Sequence, residues 1–319
     1  HWEKSDVLDR VVMRLQALNM ASFIRKVKVG LIGEPFVGMG DFQVPFSELK
    51  ETIGIETKIL DSENYQELLS SITDQELEEE EEKDKNRFVF NDLNQQVYER
   101  SARIGLAIKK WIEKENLSAF TFNFMNVNKA FGFEAVPFLQ ASKMMAEEGI
   151  GYAGEGDVLT AALTASLLQA SPDSSFTEMF CPDWENNSIF LSHMGEMNYR
   201  LTADKPKLLE MDYAFGDAEN PVYVPGRFRS GDILLVNLAP MRDGAYRLII
   251  SPAEMLDVSG RDNFEQRVRG WFRPTLPIEE FLAQYSKQGG THHLALMYDT
   301  PIQLIETFGQ LMGWEVVVI

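Results

Sequence analysis

Between Lys26 and Ala170 short apolar runs alternate with amphipathic stretches, and this alternation restricts the fold more than any other feature. Lys26–Gly33 reads as a strand running into a glycine-bearing loop, Phe46–Ile53 as a helix and Ile55–Leu60 as a second strand. Asp61–Lys85 follows as one polar helix ending in the charge run Glu76–Glu82, a solvated face or frayed connection to which no function attaches. Asp92–Glu115 is a long amphipathic helix carrying Val97, Ile104, Ala107 and Trp111. Ala119–Phe124 is a third strand that alternates aromatic and polar residues, and Pro137–Glu148 is a further helix. Ahead of all of them, Ser5–Asn19 sets Leu8, Val11, Val12, Leu15 and Leu18 at helical spacing. Strands that alternate with helices need crossover connections, which produce a parallel, Rossmann-like sheet. Ligands of such sheets gather beyond the carboxyl ends of the strands. The loops after Gly33 and Phe124 are therefore expected at one edge, together with Glu155.

After Ser171–Ser175 the pattern changes. Phe176–Cys181, Ser188–His193, Leu208–Tyr213, Val222–Val224, Asp232–Leu238 and Tyr246–Ile250 are short strands separated by Gly, Pro, Asn and Asp, the pattern of an antiparallel barrel or sandwich. Helices at Pro277–Ser286 and Pro301–Gly313 interrupt it before a closing strand, Glu315–Ile319. The expected organisation is an α/β domain over residues 1–172 and a β-rich C-terminal domain with a few helices over 173–319. A chain of 319 residues is long enough for both.

Charge and cysteine content narrow the partners. The net charge of −19 repels polyanions at long range, which argues against nucleic acid and against an anionic membrane surface. No apolar run approaches the roughly 20 residues that span a bilayer. The single cysteine, Cys181, allows no internal disulfide framework and fits a reducing compartment. The N-terminal His1-Trp2-Glu3-Lys4 lacks an initiator Met and the form of a signal peptide, so it reads as a processed end, with the cytoplasm as the expected location.

A few residues stand out chemically. In Gly151–Leu163, GYAGEGDVLTAAL, two glycines bracket Glu155 before a helix-forming run that Asp157 could cap. A carboxylate at a helix mouth is favoured in its ionised form and suits a metal ligand or a base; the same pattern also suits a structural loop acid. Glu178 lies among aromatics in Phe176–Cys181, where burial of an acid needs a partner or a cation and alternation also permits a solvent-facing side chain. His193 ends the strand Ser188–His193 and precedes Met194–Asn198, MGEMN. His292 and His293 follow a double glycine in Gln288–His293, and neighbours on one strand cannot both face one side, so at most one is expected to act as a ligand. The residues alone suggest two glutamates with one or two histidines around a divalent ion.

GYAGEGD with TAAL, FTEMF, LSHMGEMN and GGTHH occur in the order seen in the L-arabinose isomerase and L-fucose isomerase superfamily, and the chain resembles the central and C-terminal domains of an arabinose isomerase-type protein. The resemblance implies a metal held by Glu155, Glu178, His193 and His293, with manganese the usual ion and cobalt also suited to the ligands. It implies interconversion of an aldose and a ketose, such as L-arabinose and L-ribulose, through an enediol, with Glu155 and Glu178 shuttling the proton. Met39, Phe124 and His292 match substrate-pocket positions. It also implies a monosaccharide partner and a trimer-based homo-oligomer. The family's N-terminal domain, which in relatives helps a neighbouring subunit close its pocket, has no counterpart here. The chain departs from the family after His193, where Met-Gly-Glu-Met-Asn stands in place of Met-Leu-Glu-Val-Cys-Pro, and in Glu34–Gly40. The alternatives are a non-catalytic sugar-binding relative and a metal-assisted sugar lyase or epimerase.

Overall fold

The computed structural model describes residues 2–91 and 93–319. His1 and Asp92, the expected first residue of the long helix, lie outside the described residues. The first half holds α1 (Val7–Ile24), β1 (Lys28–Ile32), α2 (Phe46–Thr52), β2 (Glu56–Leu60), α3 (Ser62–Ser70), α4 (Asp74–Arg87), α5 (Gln95–Glu115), β3 (Ala119–Phe122), α6 (Phe138–Lys143), β4 (Gly151–Gly154) and α7 (Val158–Leu168). Its strands form the expected parallel sheet in the order β2-β1-β3-β4.

Three local readings differ from the sequence pattern. Gly151–Gly154, to which the sequence pattern assigns no strand, is the edge strand β4. Its first glycine serves close packing, because a Cβ at Gly151 would lie 2.3 Å from the Ala165 backbone nitrogen of α7. The expected single helix Asp61–Lys85 is two helices, α3 and α4. Thr73 starts the second with a reciprocal cap: its hydroxyl accepts from Glu76 N at 3.2 Å, and its own N–H donates to Glu76 Oε2 at 2.8 Å. The run Glu76–Glu82 is thus ordered helix, and Glu80 faces inward. The third strand ends at Phe122, so Phe124 lies in the loop beyond it.

The second half holds β5 (Ser174–Asp183), β6 (Ser188–His193), β7 (Leu209–Glu210), β8 (Val222–Tyr223), β9 (Gly231–Pro240), β10 (Tyr246–Met255), β11 (Val268–Pro274), α8 (Ile278–Lys287), β12 (His293–Tyr298), α9 (Ile302–Met312) and β13 (Glu315–Val318). Antiparallel pairing runs β11-β6-β5-β12-β9-β10, and the far end of β10 pairs back onto β11, so the sheet closes as a barrel. β13 lies outside this ring, parallel to the first half of β10. The strand β11, which the sequence pattern does not reveal, is the one that closes it.

Helix α7 joins the two sheets. All of its residues are buried, as expected for a helix that is apolar all round. Along β9, Leu234, Val236 and Leu238 share a core with Val29, Leu31 and Phe120 of the parallel sheet, whereas Ile233, Leu235 and Ala239 fill the barrel. This two-sided burial explains the unbroken apolar run of β9. No helix among the described residues is long and apolar enough to cross a membrane.

Candidate metal centre

The loops beyond β1, β3 and β4 are tied together at the carboxyl edge of the parallel sheet. Phe36 N donates to the Glu155 carbonyl at 2.9 Å, and Asn123 Nδ2 donates to the Glu34 carbonyl at 2.8 Å. Gly156 N donates to Thr121 Oγ1 at 3.0 Å. Glu155 itself has φ +63°, a left-handed backbone that non-glycine residues rarely adopt and that concentrates at functional sites. Two residues on, Asp157 caps α7 by accepting from Thr160 N at 2.9 Å. Glu155 therefore stands at the N-terminal mouth of a buried helix, as its flanking residues imply.

The barrel brings its residues up from the other side. Adjacent strands β6, β5 and β12 carry His193, Glu178 and His293, and Glu178 and His293 are direct partners in the β5–β12 register. His293 Nε2 lies 3.7 Å from Glu155 Oε2. His292 Nε2 lies 3.9 Å from the same oxygen and 4.0 Å from Glu178 Oε1. Both histidines lie at the centre, although neighbours on one strand would face opposite sides. His292 precedes the first residue of β12 and so escapes strand alternation, and the two rings sit 4.4 Å apart.

Of the two pocket residues expected from the loops, Phe124 stacks on Phe36 at 5.8 Å and meets Phe215 edge-on at 5.9 Å. Met39 is half-buried at the start of the short helical turn Gly40–Gln43. The side chains of that turn that reach the histidines are Phe42, whose ring stacks 4.9 Å from His293, and Asp41, whose carboxylate is 4.0 Å from His292 Nδ1. Nothing in the sequence singles out either one.

The two glutamates are pushed in opposite directions. Burial opposes ionisation of Glu155, but the surrounding His292, His293 and His193 outweigh it and hold the carboxyl below its ordinary range. Burial pushes Glu178 up, and His193 and His292 do not cancel it. Burial, reinforced by His193 and His292, drives His293 well below the usual imidazole value, which leaves it neutral. Burial acts against a charged His193, yet Glu196, Glu178 and Glu155 raise it to about 9.

Each barrel histidine has a carboxylate behind it. Asp157 Oδ2 lies 3.1 Å from His293 Nδ1, and Glu196 Oε2 lies 2.7 Å from His193 Nδ1. Sequence reading assigned Asp157 only its cap and gave Glu196 no role. The signal for Glu196 was its position three residues after His193 in the turn leaving β6. Gly154 leaves room for the ring, since a Cβ there would fall 2.5 Å from His193 Cε1.

Glu155 Oε2, His292 Nε2 and His293 Nε2 are all buried and without a hydrogen-bond partner. Other such atoms, the hydroxyls of Thr57 and Ser251 and the Nε atoms of Arg100 and Arg247 among them, belong to residues elsewhere in the chain, whereas these three converge. Buried polar groups in folded proteins are normally satisfied, so a converging set of orphans marks space for a ligand. Two donor sets, Glu155 with His292 and His293, and Glu178 with His193 and His293, each hold their atoms within 4.8 Å of one another and share His293. Carboxylate and imidazole donors together fit a divalent ion of the manganese-to-zinc series.

Comparison with known proteins agrees with this layout. The profile of the L-arabinose isomerase central domain matches residues 47–171, and that of the L-arabinose isomerase C-terminal domain matches residues 173–315. An L-arabinose isomerase of Shouchella clausii is 24% identical over 325 residues, covering 100% of this chain and 66% of its own length. L-arabinose isomerase 2 of Bacillus licheniformis is 26% identical over 351 residues, with coverage of 100% and 68%. The L-arabinose isomerase of Levilactobacillus brevis is 24% identical over 323 residues, with coverage of 98% and 67%. The chain thus spans about two thirds of the length of these curated relatives. Matched by two successive domain profiles and aligned along its whole length with enzymes of that name, it belongs to the L-arabinose isomerase family.

Proposed function

We propose that this chain carries the metal-holding and proton-transfer residues of an aldose–ketose isomerase, with L-arabinose and L-ribulose as the nearest substrate pair. The observation that carries the reading is the convergence of Glu155, Glu178, His193 and His293 in two donor sets that share His293, with Glu155 Oε2, His292 Nε2 and His293 Nε2 buried and without a partner. Glu155, Glu178, His193 and His293 would hold a divalent ion, manganese first and cobalt as an alternative. When bound, that ion would polarise the sugar carbonyl and fix two neighbouring oxygens.

Glu155, held ionised, takes the C2 hydrogen of the aldose as a proton. The C2–H electrons form the C1–C2 double bond while O1 gains a proton, giving an enediol. Return of a proton to C1 and loss of the O2 proton yield the ketose, with Glu178 supplying the acid in the forward direction and the roles reversing in the other. His292 and the loop residues Met39 and Phe124 would line the sugar. On this reading residues 1–172 and 173–319 are two domains that share one centre, in a cytoplasmic, trimer-based homo-oligomer.

The test is ketose formation by the chain with Mn²⁺ and a panel of aldopentoses and aldohexoses. Glu155→Gln is expected to lower turnover roughly 10²–10⁴-fold, the usual scale for a lost acid–base group. Unchanged turnover in that variant removes Glu155 from proton transfer. Sugar binding without turnover under any divalent ion points to a non-catalytic relative, and products other than ketoses point to a lyase or epimerase.

A further inference from the structure

His193 reaches the centre from the end of β6, where a strand no longer dictates the direction of a side chain. What holds its ring is a buried carboxylate that no reading of the centre has used. Glu196 is 1% exposed and lies in the segment that leaves the strand. It gathers three donors. His193 Nδ1 lies 2.7 Å from its Oε2, Gly195 N donates to the same oxygen at 2.8 Å, and the Tyr152 hydroxyl donates to Oε1. An ionised carboxylate only accepts hydrogen bonds, so Nδ1 of His193 keeps its hydrogen toward Glu196, and Nε2 is the nitrogen that gives up its hydrogen when an ion binds. Tyr152 is itself fully buried in β4, two residues before Gly154, so this clamp ties the parallel sheet to the barrel.

The ring has little freedom besides. Phe176 meets it edge-on at 4.7 Å, and His293 lies 5.7 Å away. Gly154 leaves no side chain to turn it aside, with His193 Nε2 only 2.7 Å from where its Cβ would be.

We infer that Glu196 is a positioning residue, which fixes the tautomer and orientation of His193 so that Nε2 faces Glu178 and His293, and that Tyr152 in turn anchors Glu196. This rests on the proposed reading of His193 as a metal ligand. Partners of this kind behind a ligating histidine are worth about 10–100-fold in metal affinity.

The test is calorimetric Mn²⁺ titration of the whole chain and four variants, each checked for fold by urea unfolding. Glu196→Ala is expected to weaken Mn²⁺ binding about 10–100-fold, and Glu196→Gln, which keeps an oxygen for Nδ1–H, to return most of the affinity. Tyr152→Phe is expected to weaken binding a few-fold without abolishing it. Wild-type affinity in Glu196→Ala, or equal loss in the Ala and Gln variants, overturns the inference; wild-type affinity in Tyr152→Phe removes Tyr152 from it. His193→Ala separates the two levels: if it leaves Mn²⁺ affinity unchanged, the ligand reading itself fails. A second measurement needs no variant. In the ¹⁵N-histidine-labelled chain loaded with diamagnetic Zn²⁺, His193 is expected to carry the hydrogen on Nδ1 and the metal on Nε2, and the opposite assignment overturns the clamp.

Discussion

Two clusters of buried charge lie in this molecule, and they are built on different principles. The first surrounds Lys143 at the end of α6, which is 3% exposed and donates to Asp84 Oδ1 at 2.8 Å and also to Glu80. Tyr98 OH donates to Asp84 Oδ2 at 3.0 Å, and Arg87 lies 3.4 Å from Asp84 Oδ1 and 2.8 Å from Glu147. Each acid there meets a cation or a donor. The second is the Glu155–Glu178–histidine centre, where Glu155 Oε2, His292 Nε2 and His293 Nε2 face one another without hydrogen-bond partners. Both carry a desolvation cost. A closed network offsets it internally and serves the fold, while an open one leaves capacity that an incoming cation can satisfy.

The comparison breaks first at Lys143. Lys143→Met leaves Glu80 and Asp84 buried without their cation and is expected to destabilise the chain by about 3–5 kcal/mol, read as a lower urea midpoint, with Mn²⁺ affinity preserved at low denaturant. An unchanged midpoint means the cluster is not closed in the sense argued. Next, Mn²⁺ at a hundred times its dissociation constant is expected to stabilise the chain by about 2.7 kcal/mol, and a chelator to reverse the gain. A midpoint indifferent to Mn²⁺ and to the other divalent ions removes the distinction between the two clusters.

Gly154→Ala sharpens the contrast from the side of packing. Its Cβ must displace His193, so a cost of about 1–3 kcal/mol is expected together with weaker Mn²⁺ binding; a stability loss with intact binding would show that the ring can move without leaving the centre. The smallest effect is one of pH. Burial works against the Glu80 carboxylate, but Lys143 and Lys83 outweigh it and hold Glu80 below its ordinary value. A lowered carboxyl contributes stability above its unfolded value, and that contribution is lost as the pH falls through the folded one. The stability gap between wild type and Glu80→Gln, measured by urea unfolding, is therefore expected to be full at pH 7 and to close below pH 4. A gap that widens on acidification reverses the assigned sign.

Much of the fold was legible because burial period and chain punctuation are local signals. The parallel strands β1, β2 and β3 and the barrel strands β5, β6, β9 and β10 sit where apolar runs meet Gly, Pro, Asn and Asp. The misreadings share a cause, which is that one residue type serves two purposes. Gly151 carried no strand signal and is a contact surface for α7, and the acidic run of α4 looked solvated although it turns Glu80 inward. Ser71–Thr73 broke a helix through a cap whose partner, Glu76, was hidden inside the same acidic run.

The sequence by itself determined the alternation that makes the parallel sheet, the punctuation that makes the barrel strands, and the glycine-flanked acid at the mouth of α7. Spacing along the chain carries these because each depends on residues within a few positions of one another. Tertiary structure alone decided that β11 closes the barrel and that β6, β5 and β12 lie side by side, with α7 packed between the sheets. It also set Asp157 and Glu196 behind the two barrel histidines and left Glu155, His292 and His293 facing one another unpaired. Glu155 and His293 are far apart in the chain and under 4 Å apart in space, and such a distance follows from how two cores pack, which no local pattern encodes.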